Sequence, residues 1–93
     1  MTVYIVCVTC QKGSDPKFEI DSASLNHHTA LARAGSLATE LESEEDFGFE
    51  FDENREGESL VITRRPEEGF YDVWNMATDK WFEVRVVTQD ILT

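Results

Sequence analysis

Apolar residues follow a period of two through most of the chain and switch to a helical period once. Thr2–Thr9 (TVYIVCVT) is β-branched and aromatic, which predicts a strand. Val3, Ile5 and Cys7 share one of its faces and Tyr4, Val6 and Val8 the other; both faces are apolar, so the strand belongs inside a sheet. Gln11–Lys17 carries Gly13, Ser14, Asp15 and Pro16 and reads as a turn, and Phe18–Ile20 as a short strand pairing back. A helix is predicted near residues 26–45, with Ser24 or Asn26 as its cap. Its apolar stripe is Leu31, Ala34, Leu37, Ala38 and Leu41, with Ala30 alongside. Gly35 in mid-helix costs about 1 kcal/mol against alanine, which points to a close approach to the sheet.

Period two then resumes. Phe47–Asp52, Ser59–Arg64, Phe70–Met76 and Lys80–Thr88 are predicted strands. Their connections are Glu53–Gly57, Arg65–Gly69 and Ala77–Asp79, short enough for antiparallel hairpins, and Gln89–Thr93 reads as a loose end. The pattern describes an α+β fold: a single domain over residues 1–93, with one helix packed on a four- to five-stranded, mostly antiparallel sheet. The order is β-α-β-β-β-β, with the short strand before the helix. Phe47, Phe49, Phe51, Leu60, Ile62, Val73, Phe82, Val84 and Val86 are expected to face the core. One helix leaves the other sheet face largely wet, and Trp74, Met76 and Tyr71 are expected to make an interaction surface there.

Charge changes this picture. Nineteen acids against eight bases give a formal net charge of −11, more than solubility needs in a small domain. The acids are not spread evenly. Glu40, Glu42, Glu44, Glu45, Asp46, Glu50, Asp52, Glu53, Glu56 and Glu58 crowd one stretch whose only base is Arg55. Its first members fall at the end of the predicted helix, where negative charge meets the negative end of the helix dipole. Such breaches of a local rule mark places where something else must compensate, or where function overrides stability. This balance argues against direct binding to nucleic acid or to an anionic membrane, and a basic partner is its counterpart. The first residues lack a secretory signal's basic start and cleavage site, and no apolar run reaches about 18 residues, so a cytoplasmic protein with reduced thiols is expected.

Motifs for chemistry are weak. Cys7-Val-Thr-Cys10 has the C-x-x-C spacing but lies in a strand, where the two side chains point to opposite faces, rather than at a helix start. Cys7, Cys10, His27 and His28 have the elements of a zinc site, yet adjacent histidines on a helix diverge by about 100°. The serines lack a nucleophile elbow, the acidic stretch lacks the EF-hand pattern, and no carboxylate pair stands in an evident cleft. We expect no enzyme, no cofactor and no metal.

The acidic stretch therefore carries the functional expectation. Carboxylates at alternate strand positions lie about 6.8 Å apart, roughly two phosphate steps along one nucleic-acid strand. No motif identifies a family. By size, charge and fold type the chain is in keeping with small acidic inhibitors, such as phage anti-CRISPR, anti-restriction and toxin-neutralising proteins. The expected function is that of a nucleic-acid-mimic inhibitor, with Glu44, Glu45, Asp46, Glu50, Asp52, Glu53, Glu56 and Glu58 as its binding residues. Its partner is a basic nucleic-acid-binding protein or ribonucleoprotein complex, met by a monomer in the host cytoplasm. The alternatives are a stretch that serves only solubility and a small adaptor that docks through its aromatic sheet face.

Overall fold

The computed structural model describes residues 1–13, 15–44, 60–76 and 78–91. Five strands and one helix are built from them: β1 (Thr2–Gln11), β2 (Lys17–Ser24), α1 (His27–Glu42), β3 (Leu60–Arg65), β4 (Phe70–Asn75) and β5 (Lys80–Asp90). The strands form one antiparallel sheet in the order β2-β1-β5-β4-β3, with α1 across one face. This is the expected architecture of one helix on a mostly antiparallel sheet. The segment read as a three-residue strand is an eight-residue edge strand, β2. The predicted strand Phe47–Asp52, with Phe47, Phe49 and Phe51, lies outside the described residues.

The helix starts where its caps allow. Asn26 accepts a hydrogen bond from the Thr29 amide (3.1 Å), and the Ser24 hydroxyl accepts one from the Asn26 amide (3.0 Å). Ala30, Ala34, Leu37, Ala38 and Leu41 of the stripe are buried. They meet Val6 and Val8 of β1, Val73 of β4, and Phe82 and Val84 of β5, with Tyr4, Cys10, Ile62, Tyr71 and Val86 packed at the margin. The small side chains bring the helix close. A Cβ on Gly35 would stand 3.1 Å from the Tyr71 hydroxyl oxygen, so the mid-helix glycine is the approach the sequence implied. Tyr71 therefore belongs to the helix side of the sheet, not to the uncovered face with Trp74 and Met76: β4 puts its odd positions inward.

Two irregularities shape the edges. The pairing of β1 with β2 slips between Val6↔Ser22 and Cys7↔Ile20, leaving Asp21 as an extra residue. Its carboxylate meets α1, where the Arg33 guanidinium donates to both oxygens (2.8 Å each). Between β3 and β4, a 3-10 turn at Pro66–Glu68 ends at Gly69 with φ +67°, a left-handed conformation that glycine adopts freely.

Phe82 is wholly buried at the middle of the sheet, beside Cys10 on β1 and Val73 on β4. Phe82→Ala is expected to lower stability by about 3–5 kcal/mol, through lost burial and the cavity left behind. A melting temperature equal to that of the native chain would show that the core does not close around this ring.

Candidate functional site

Three places on the molecule can meet a partner or ligand: the acidic stretch, the groove beside it, and the uncovered sheet face. Of the eight carboxylates expected to bind, Glu45, Asp46, Glu50, Asp52, Glu53, Glu56 and Glu58 lie outside the described residues. Glu44 is described, and it forms an ion pair with the Lys12 ammonium. The neighbouring helix acids are engaged too. Arg64 of β3 donates to Glu42 (2.9 Å), and Arg33 stands 3.7 Å from Glu40. The acids at the end of α1 that break the dipole rule are thus compensated by bases from the β1–β2 turn, from β3 and from the helix itself. Their place in the sequence is explained by structure before any partner is invoked.

The same economy holds across the frame. Lys12, Arg33, Arg64, Arg65 and Arg85 each meet a carboxylate among the described residues. Residues 45–59, with seven carboxylates and the single base Arg55, carry −6 of the formal charge of −11, and the twelve acids and seven bases elsewhere in the chain carry the other −5.

Beside Glu44 lies a groove of about 690 Å³ between the β1–β2 hairpin and α1. Val8, Leu37 and Leu41 line its floor, and Lys12, Lys17, Glu19, Asp21 and Glu44 its rim. Glu44 is the last described residue before Leu60. Cys10 also lines the groove, but burial pushes its thiol above the ordinary range, so the nucleophilic thiolate is disfavoured. Cys7 and Cys10 are free and lie on opposite faces, Cys7 opposite Arg85 and Cys10 opposite Phe82. His27 stacks on Tyr4 with ring centroids 4.6 Å apart. Among the described residues, no three of His, Cys, Asp and Glu gather to hold a metal ion. No described helix is long and apolar enough to cross a membrane.

The uncovered face carries a constellation that sequence reading passed over. Strand register sets Trp74 of β4 opposite Trp81 of β5, and Asp72 opposite Glu83 one pair further on. Both indole N–H groups are committed, Trp74 to the Asp79 carboxylate (3.1 Å) and Trp81 to the Gln11 side-chain oxygen (3.2 Å). Asp79 reaches Trp74 from the β4–β5 turn, where it holds φ +56°, a conformation that aspartate tolerates better than most residues. Asp72, Trp74, Asp79, Trp81 and Glu83 enclose a shallow cleft of about 300 Å³. Phe18, Ile20, Val61, Trp74 and Val87 are large exposed apolar residues of the same face. The signal was present in the sequence: a tight turn between FYDVWN and KWFEV pairs the two tryptophans and the two acids once the hairpin is folded on paper.

Within this cleft two like charges face each other. Glu83 has Arg85 at 3.4 Å, whereas Asp72 has neither a hydrogen bond nor an ion pair among the described residues. Burial, and then the Glu83 charge, push the Asp72 carboxyl above its ordinary range.

No protein-family model matches the chain, and comparison with curated proteins and with solved structures finds no significant match.

The Asp72 shift fixes the sign of a pH effect. A carboxyl that binds its proton more tightly folded than unfolded penalises the fold once ionised, and the penalty disappears as pH falls below the unfolded value of about 3.9. Asp72→Asn is expected to raise stability at neutral pH by a few tenths to about 1 kcal/mol, the scale of a cross-strand like-charge pair. That advantage should shrink on acidification through the raised carboxyl range. Denaturant unfolding of both chains at neutral and acid pH checks it; a neutral-pH loss of stability would mean that the carboxylate has a favourable partner.

Proposed function

We propose that the protein is a non-enzymatic acidic inhibitor that binds the basic surface of a nucleic-acid-handling protein or complex in place of nucleic acid, as phage anti-defence proteins of this type do. The observation that supports the reading is the partition of charge. Five of the seven bases outside residues 45–59 meet acids of the frame, while residues 45–59 add seven carboxylates against one arginine. A surplus concentrated in one short stretch suits a groove lined with lysine and arginine, and the same charge turns nucleic acid away.

A second reading is an adaptor that docks through the uncovered sheet face, and the exposure of Trp74 (39%), Phe18 (59%) and Ile20 (62%) on that face supports it. In both readings the function is binding, without a reaction.

Single exposed charge pairs contribute roughly 0–1 kcal/mol, so one substitution in the stretch should do little. Reversing Glu50, Asp52 and Glu53 to lysine together removes attraction and adds repulsion. With a captured basic partner, the native chain should lose affinity steeply between low and moderate salt and should compete with DNA or RNA. The triple variant should bind at least tenfold more weakly with an unchanged melting curve. Affinity indifferent to salt and to the triple reversal would reject the mimic and leave the sheet-face adaptor.

A further inference from the structure

We propose that the cleft on the uncovered sheet face is a recognition site for an arginine side chain, presented by a basic segment of a partner protein. The inference shares the basic partner with the leading reading but uses a different surface, so the two can fail separately.

Among the described residues, the cleft lacks a base for Asp72. Asp72 stands opposite Glu83 in the β4–β5 ladder, and Arg85, the nearby base, is paired with Glu83 (3.4 Å). On the other side of Asp72 the register places Thr63 of β3. A half-buried carboxylate beside a like charge, with no cation of its own among the described residues, is complementary to a positive group from outside. Asp79 adds a third carboxylate at the same cleft.

The indoles decide which cation fits. Trp74 and Trp81 are cross-strand partners, and each ring is anchored by its own N–H hydrogen bond. Anchored rings lose little freedom on binding, and indole is the strongest aromatic partner for a cation. A guanidinium is planar and weakly hydrated. It can lie against an indole while its N–H fork donates to a carboxylate such as Asp72, which an ammonium cannot do with the same geometry. The cleft volume of about 300 Å³ admits one such side chain rather than a folded element. Around it, Val61, Phe18 and Ile20 offer exposed apolar surface for the backbone and stems of the incoming segment. Arg65, which lies over Phe70 (5.7 Å to the ring centre), shows that the same face already seats one guanidinium on an aromatic ring.

The chain's two tryptophans are Trp74 and Trp81, so intrinsic fluorescence reports on the cleft alone. A capped tetra-arginine peptide, titrated into the full chain at low salt, should give a saturable change in fluorescence. Capped tetra-lysine should bind more weakly. Asp72→Asn, checked by its melting curve, should lose roughly tenfold or more in affinity, the scale of one charge-assisted hydrogen bond. The triple reversal of Glu50, Asp52 and Glu53 should leave a saturable signal. The proposal is overturned if tetra-arginine gives no saturable change, if tetra-lysine binds equally well, or if Asp72→Asn binds like the native chain. Binding abolished by the triple reversal but untouched by Asp72→Asn would overturn it while leaving the acidic-stretch reading intact.

Discussion

Among the described residues, a 16-residue helix is the only layer laid on five strands, and it can dry one face of the sheet but not two. At about 1.5 Å per residue it is some 24 Å long, and five strands span roughly 19 Å at their usual spacing. The helix can thus lie over most strands of one face, and the described residues provide no second helix for the other. Each strand must then sort its side chains by parity. Val6, Val8, Val73, Phe82 and Val84 go in, and Cys7, Asp72, Trp74, Trp81 and Glu83 fall to the other side. The uncovered face is a consequence of having one helix. Its composition is not, because solubility alone does not call for two tryptophans above two opposed acids.

Electrostatics follows the same division. The frame has few bases and commits them where they hold elements together: Arg33 ties the helix to the bulge in β2, and Arg64 ties the helix end to β3. Arg33 gives the clearest case, because its hydrogen bond holds the Asp21 carboxyl below its ordinary range. Sign matters here. A lowered carboxyl favours the fold above its unfolded value and loses that contribution as pH falls through the folded one. Asp21 and Asp72 therefore act in opposite directions on acidification, the first stabilising at neutral pH and the second penalising. A guanidinium faces Asp21, whereas Asp72 is more buried and faces the Glu83 carboxylate.

The fold was legible where side-chain period and burial agree. Leu60, Val73, Phe82 and Val84 are in the core as the period-two pattern requires, and the helix stripe is the one the sequence shows. Edge strand β2 was under-read because its burial is slight. Lys17–Ser24 is almost wholly exposed, contains Ser and Asp, which are poor strand formers, and carries a bulge that breaks the alternation. Tyr71 was misassigned because FYDVWNM puts a large aromatic on each face, and composition cannot choose between them; the close approach of Gly35 does. The acidic run was read as one feature, yet Glu40, Glu42 and Glu44 hold bases of the frame, which only three-dimensional pairing reveals.

The split of that run links the two proposed surfaces. Glu44 is held by Lys12 at one end, and at the other Leu60 opens the edge strand β3, buried and paired with Asn75. The acidic residues between them are tethered by chain connectivity to the strand beside Asp72 and Trp74. The two surfaces would then divide the labour. Diffuse charge would set the rate of encounter and is screened by salt, whereas a guanidinium lying against an anchored indole would set how long the complex lasts. On this account Asp72, beside Glu83 and without a cation of its own among the described residues, would meet one only when the partner arrives.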